Sequence, residues 1–331
     1  MDIAFLMDPL QSIDPEWETT SLLMYECNQR GHKVFFLEAH DVYVRNSRVV
    51  ARMRNVTVPP NQSMRDYWDS VIECLHKEEL IFEELEELDA LFLRKDPPLS
   101  YQTLEFLHPV SDKVFIINST LGQIIGNSKL YTLNFPEIIP DTHISRDPQR
   151  LRRVIDRFGG EMVVKPLQRS RGEGVIKVSI RDRDNLNSLI NYYVQASEPY
   201  PRRQSILVQN YLEQVKIEGD IRIMLLDGQI LGAMRRIPAE GDFRTNIHAG
   251  ATPAPHQIRE SDRRICQTIG PRLVRDGLYF VGIDIIGDKL VEINCVSPGG
   301  LPRINRLTGR RLEEPVIDFV ERQVEKMRSR A

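Results

Sequence analysis

Residues 280–294 read FVGIDIIGDKLVEIN. Two apolar runs flank Gly287-Asp288, the composition of a β-hairpin and its turn. Asp284 interrupts the first run, and Glu292 and Asn294 interrupt the second. An unpartnered carboxylate inside an apolar sheet is costly, so these residues call for a shared purpose. Glu292 and Asn294 stand two apart and share one face of their strand. A strict two-residue turn would pair residue 284 with 291 and put Asp284 on the other face. A three-residue loop at Gly287, or one bulge, restores the alignment; the expected register pairs 284 with 290 and 282 with 292. Asp, Glu and Asn on one face are hard oxygen donors suited to Mg²⁺, which takes one or two carboxylates plus substrate phosphates. From the hairpin alone, a network salt-bridged to nearby Arg or Lys explains them equally well.

The chain has 331 residues, enough for two or three domains. A hydrophobic content of 41% and a charged content of 27% are those of a soluble globular protein. The net charge of -3 gives no reason to expect a nucleic-acid partner. No apolar run is long enough to cross a bilayer, no membrane partner is expected, and MDIAFLMDP reads as a strand and turn rather than a signal peptide. Cys27, Cys74, Cys266 and Cys295 are far apart and form no CxxC pair, which points to a reduced, cytoplasmic setting. The seven histidines show no HExxH or close pairing, so zinc is not expected.

The first third alternates strand and helix. IAFLM, KVFFLE and KVFIIN are strands, and 16–30 and 64–79 are helical in pattern. The order predicts a parallel α/β sheet. The acidic run at 83–89 reads as a solvated face. Gly122 and Gly126 do not make a P-loop, because GxxxxGK[ST] is absent. In the middle, GEMVVKPLQRSRGEGVIKVS is strand, glycine-containing loop and strand. Gly172 and Gly174 give that loop backbone N–H groups able to cradle phosphate, although a surface hairpin has the same look. Three or four antiparallel strands follow from about residue 206. Residues 239–255 carry no apolar period and read as a lid without regular structure. Helices are expected over 260–277 and 312–329. The implied division is 1–126, 127–207 and 208–331.

Lys129, Lys165, Arg222, Arg235 and Arg236 would each pass singly as surface charges. Together with the carboxylates and the glycine loop they describe a site for a Mg-bound polyphosphate.

At this point the chain resembles the prokaryotic-type glutathione synthetases, members of the ATP-grasp carboxylate–amine ligases. MDP at 7–9, RKDPP at 94–98, KPL at 165–167, QNYL at 209–212, GD.R at 219–222, RIP at 236–238, IGP at 269–271 and FVGIDIIGDKLVEIN carry the resemblance over almost the whole chain. It implies an α/β (α+β) protein of the ATP-grasp fold, with an N-terminal parallel domain and two antiparallel-sheet domains enclosing ATP. Lys129, Lys165, Gly172 and Gly174 would meet its phosphates, and Gln209, Asn210, Tyr211 and Leu212 its adenine. Asp284, Glu292 and Asn294 would hold Mg²⁺, two ions bridged by Glu292, with Mn²⁺ able to substitute. Arg222, Arg236, Arg244 and Asn246 would serve catalysis, the last two from the lid. Asp8, Arg94, Ser297, Gly299 and Gly300 would bind substrate. The implied reaction joins γ-glutamylcysteine and glycine through an acyl phosphate, in a homo-oligomer, dimer or tetramer.

Three segments depart from the family pattern. QRSRGEG at 168–174 stands where the family has a DGMGG-type loop. SPGGLPRINRL follows Asn294 where SPT and an IRE-like segment are usual, and the lid reads RTNIHAGA rather than RGNLAAGG. The last two face the acceptor side, so a ligase of this scaffold with another acid or amine, or a non-catalytic nucleotide-binding protein, remains open at this level. His248 has no assigned role beyond a lid-surface residue.

Overall fold

A computed structural model of the chain describes residues 1–77, 81–167, 174–194 and 204–330. Among these, no helix is long and apolar enough to cross a membrane.

Three sheets organise the molecule. The first holds β1 (Asp2–Leu6), β2 (Lys33–Leu37), β3 (Val42–Arg45), β4 (Arg48–Asn55), β5 (Ile81–Glu84), β6 (Ala90–Leu93) and β7 (Phe115–Ile117). Its order is β3-β4-β2-β1-β6-β7, with β5 also on β4. The run β2-β1-β6-β7 is parallel, as the alternating pattern predicts, and its strands are apolar because both faces are covered. Phe5 sits beside Phe92 in register, and their rings stack 4.7 Å apart. The antiparallel strands β3, β4 and β5 extend this sheet beyond the parallel core. The acidic run is not one helix: it contributes β5 and a single turn at Leu85–Glu87, with Glu84 and Glu86 paired to Arg48 and Lys113.

The second sheet is antiparallel, β10-β9-β11-β8, built from β8 (Thr142–Ser145), β9 (Glu161–Pro166), β10 (Ile176–Ser179) and β11 (Ile206–Asn210). The helices Pro148–Phe158 and Arg183–Val194 cover one face and close a separate core around Ile155, Val164 and Ile190. The other face is left free to line a cleft.

The third sheet is antiparallel, β14-β13-β12-β15-β16, from β12 (Asp220–Leu226), β13 (Gln229–Ile237), β14 (Thr252–Pro255), β15 (Phe280–Ile286) and β16 (Lys289–Asn294). Its apolar residues share core clusters with the first sheet; Leu6 and Leu93 belong with Ile221 and Ile283. Asn118, just after β7, fixes the junction. Its amide donates to the Phe280 and Cys295 carbonyls at 2.7 and 2.8 Å and accepts from the Phe280 N–H at 2.7 Å.

Two expectations need correction. The hairpin turn is the short one: Ile286 pairs with Lys289, leaving Gly287 (φ +62°) and Asp288 as a two-residue loop. The irregularity falls further along, where Val291 is the extra residue. Asp284 thus pairs with Glu292 and Gly282 with Asn294, not 284 with 290. One bulge still brings all three side chains to one face, because a single inserted residue flips the alternation wherever it sits. The second correction concerns 239–255. A short turn forms at Ile247–Ala249, and β14 pairs with β13 over Thr252–Pro255. Its two prolines hide the strand from a sequence reading, and β14 is an edge strand, where missing donors are tolerated.

Candidate active site

The free face of the second sheet and one end of the third enclose a cleft of about 840 Å³, partly open to solvent. Lys165 on β9 and Gln209 on β11 face it from the same side, since 165 pairs with 207 and 163 with 209. Lys165 Nζ donates to Gln209 Oε1 at 2.9 Å, and Gln209 Nε2 donates to Thr142 Oγ1 at 2.8 Å. Burial pulls the Lys165 ammonium below its ordinary pKa, which an anion entering the cleft would reverse. Lys129, at the head of the turn 129–134, lines the same space. Asn210 at the end of β11 and Tyr211 and Leu212 after it also line the cleft, and Lys177 lies 4.3 Å over the Tyr211 ring while Phe243 meets its edge.

The wall toward the third sheet is an ionic ladder set by strand register. Asp220 is opposite Arg236 on β12 and β13, and Arg222 is opposite Asp284 on β12 and β15. Arg236 forks onto Asp220, with Nε to Oδ1 at 2.8 Å and Nη2 on Oδ2, and reaches Asp284 Oδ1 at 3.0 Å. Arg222 forks onto Asp284 at 2.5 and 3.0 Å. All four residues are buried. Desolvation raises the Asp220 pKa against the pull of Arg236. At Asp284 the same desolvation is outweighed by Arg222 and Arg236, which hold the carboxyl far below its usual range. Gly219 makes this register possible: its φ is +71°, and a Cβ there would lie 2.1 Å from the Arg236 carbonyl oxygen.

Asn294 Nδ2 also donates to Asp284, at 3.3 Å. A carboxylate offers about four acceptor sites. Those of Asp284 are taken by Arg222, Arg236 and Asn294. Glu292, directly across the hairpin, makes no hydrogen bond among the described residues and faces the cleft. The salt-bridged network expected as the alternative is present at Asp284. Asp284 is salt-bridged, while Glu292 and the Asn294 carbonyl oxygen are hard donors suited to a divalent ion. Among the described residues no three His, Cys, Asp or Glu side chains converge, so such an ion would complete its shell with water and phosphate.

A second, larger cleft of about 2140 Å³, including its open mouth, runs between the third sheet and the first. Asp8 lines it, tied to Lys95 Nζ at 2.9 Å and the Asp96 N–H at 2.8 Å. Arg94 lies in its floor, 4% exposed, held by Thr20 Oγ1 and the Pro298 carbonyl. Ser297 donates to the Arg94 carbonyl at 2.9 Å, the Gly299 carbonyl accepts from Arg222 at 3.1 Å, and the Gly300 N–H donates to Thr19 at 3.2 Å. His248 also borders this cleft. Arg236, Asn246 and Glu292 line both clefts, so the two meet there.

Of the residues singled out in the sequence, these two spaces gather all but three: Arg235, next to Arg236 on β13 and so on the other face of that strand, lines neither, and two glycines are also absent. Gly174 is outside both, its φ of +68° passing the chain over Pro166, and Gly172 lies outside the described residues. Arg244 borders the first cleft, its guanidinium forked onto Asp242. Asp220 and Thr245 were missed. Asp220 sits in the quoted GD.R motif, but only cross-strand register shows that it anchors Arg236, with Thr245 Oγ1 donating to it at 2.6 Å.

Residues 1–122 match the family model for the prokaryotic glutathione synthetase N-terminal domain, and 128–309 that for the prokaryotic glutathione synthetase ATP-grasp domain. The glutathione synthetase of Synechocystis sp. is 37% identical over 329 residues, covering 98% of this chain and 100% of that protein. That of Thermosynechococcus vestitus is 38% identical, covering 97% and 99%. Among solved structures, the D-cycloserine synthetase DcsG matches with a TM-score of 0.64 at 13% identity over 99% of this chain and 100% of its own. The ATP-grasp ligase PsnB complexed with its minimal precursor matches with a TM-score of 0.59 at 16% identity over 98% and 99%. At such identities the structures speak for the fold alone.

Proposed function

The chain belongs to the prokaryotic glutathione synthetase family, and from that premise we propose how its residues carry out the family's ATP-dependent ligation of γ-glutamylcysteine to glycine. It is an ATP-dependent carboxylate–amine ligase that uses a divalent metal. The observation that supports the assignment of roles is the meeting of the two clefts at Arg236, Asn246 and Glu292.

ATP lies in the smaller cleft, its adenine along Gln209–Leu212 and its phosphates toward Lys129 and Lys165. The donor lies in the larger cleft over Arg94, Ser297, Gly299 and Gly300, its cysteinyl carboxylate at the junction. A carboxylate oxygen attacks the γ-phosphorus, the bond to the bridging oxygen breaks, and ADP leaves. The free amine of glycine then attacks the acyl carbon, the carbon–oxygen bond to phosphate breaks, and inorganic phosphate departs. These side chains do little proton transfer. They place reactants in line and neutralise charge. Arg236 faces both steps from a fixed position on Asp220. Glu292 and Asn294 would hold a divalent ion, which when bound would neutralise further charge on the polyphosphate. Asp284, on the same face of the hairpin, would stand beside that set; two Mg²⁺, replaceable by Mn²⁺, complete the reading. Arg244 and Asn246, on the segment before β14, shield the water-labile acyl phosphate.

Phosphate release from purified protein tests this. It should require ATP, Mg²⁺, γ-glutamylcysteine and glycine together. Equal release with another acid or amine in place of either substrate would move the assignment to a different ligase of the same scaffold.

A further inference from the structure

The larger cleft is also lined by residues that the reaction scheme leaves unused, among them Trp17, Arg303, Asp14 and Glu18. Arg303 belongs to the first turn of the helix Leu301–Thr308, directly after the SPGG segment where this chain departs from its family's pattern. Its guanidinium carbon lies 4.8 Å from the Trp17 ring centroid. Arg306 covers the same ring at 3.8 Å and pairs with Glu16 at 3.1 Å, so the indole is a braced platform. The other cations lining this cleft are ion-paired: Arg94 with Glu18, Lys95 with Asp8, Arg222 with Asp284, Arg236 with Asp220. Arg303 is half-buried, and its one hydrogen bond among the described residues is a 3.4 Å contact to the Trp17 carbonyl. It makes no ion pair among them. Burial opposes its charge, and the carboxylates of Glu18 and Asp14 support it.

We propose that Arg303, placed over the Trp17 ring, sets specificity for the acyl donor by binding the α-carboxylate at its γ-glutamyl end. The inference rests on the assignment of the larger cleft to γ-glutamylcysteine. The donor's reacting carboxylate belongs at Arg236 and Glu292, so its far end lies elsewhere along the same cleft, which Arg303, Trp17, Asp14 and Glu18 also line. That end is an amino-acid zwitterion. A cation with unspent donors beside two carboxylates complements it: Arg303 takes the carboxylate through its planar fork, and Glu18 and Asp14 take the ammonium.

The test compares γ-glutamylcysteine with 4-aminobutyrylcysteine, the same donor lacking only the α-carboxylate, by phosphate release. Wild type should favour the first by roughly 10- to 100-fold in kcat/KM, the worth of one charge-assisted contact. Arg303→Gln should bring the two donors close to parity by raising KM for γ-glutamylcysteine, with the KM for ATP as control. Arg303→Lys should recover part of the preference. A preference kept in Arg303→Gln, or an equal loss with both donors, overturns the inference while leaving the assigned reaction intact. Absence of wild-type turnover with either donor overturns that assignment and the inference with it.

Discussion

Replacing Asp220 by Asn keeps shape and removes one charge. Asp220 is 2% exposed and accepts both arms of the Arg236 fork and the Thr245 hydroxyl. Asn presents one acceptor oxygen, so one arm of the fork loses its partner, and the other loses charge assistance. A hydrogen bond to a charged group is worth about 1.5–3 kcal/mol. Removing a whole partner from a buried pair costs about 3–5 kcal/mol, which bounds the effect from above, because Arg236 keeps Asp284 at 3.0 Å. A loss of about 2–3 kcal/mol follows. Unfolding entropy of about 2.1 cal/mol/K per residue over 331 residues makes 1 kcal/mol worth roughly 1.4 °C, so Tm should fall by about 3–4 °C. Freed from its anchor, Arg236 no longer holds the junction of the clefts, and kcat should drop at least tenfold with a smaller change in the KM for ATP. Thermal melts and steady-state phosphate release read both. A variant as stable and as active as wild type would refute the claim that the Asp220 fork positions Arg236.

Glu292→Gln should lower kcat by about 10²–10³-fold while leaving Tm within about 2 °C, since its carboxylate makes no hydrogen bond among the described residues. Near-wild-type turnover would show that Glu292 holds no metal. Gly219→Ala must accept a φ of +71° and a Cβ 2.1 Å from the Arg236 carbonyl. It should cost at least about 2 kcal/mol in urea unfolding, and a neutral result would contradict the close approach of β12 and β13. Asp262 accepts from His256 at 2.8 Å and from the Arg259 N–H at 2.8 Å; burial alone would raise its pKa, but these bonds bring it down to about 2. Its folded pKa lies below the unfolded value, so its stabilisation, up to about 2 kcal/mol, is present above pH ~4 and fades as pH falls toward 2. The urea midpoint of Asp262→Asn should lag wild type at pH 6 and approach it only at about pH 2 and below; a gap independent of pH would refute the linkage.

The fold class was legible because parallel strands buried on both faces spell themselves as apolar runs, as IAFLM and KVFFLE do. The hairpin was legible in purpose but not in register. The shared face of Asp284, Glu292 and Asn294 demanded one inserted residue, and either a longer turn at Gly287 or a bulge at Val291 supplies it. Only packing chooses between them. The strand at 252–255 was hidden by Pro253 and Pro255, which an edge position excuses. Arg222 and Arg236 were singled out as cations, yet their partners could not be. Asp220 pairs with Arg236 sixteen residues on and Arg222 with Asp284 across another strand, relations that exist only once the sheet is assembled. The Trp17–Arg303 platform joins residues 286 apart, and no local pattern announces it.

The central claim is that the γ-phosphoryl group of ATP and the donor carboxylate meet where Arg236, Asn246 and Glu292 line both clefts. The most direct measurement uses γ-glutamylcysteine carrying ¹⁸O in both oxygens of its cysteinyl carboxylate. Ligation to glycine through an acyl phosphate transfers one labelled oxygen to each inorganic phosphate released and leaves the other in the new amide. Phosphate bearing one ¹⁸O per turnover, read by mass spectrometry, is the expected result. Unlabelled phosphate accompanying peptide formation would contradict it.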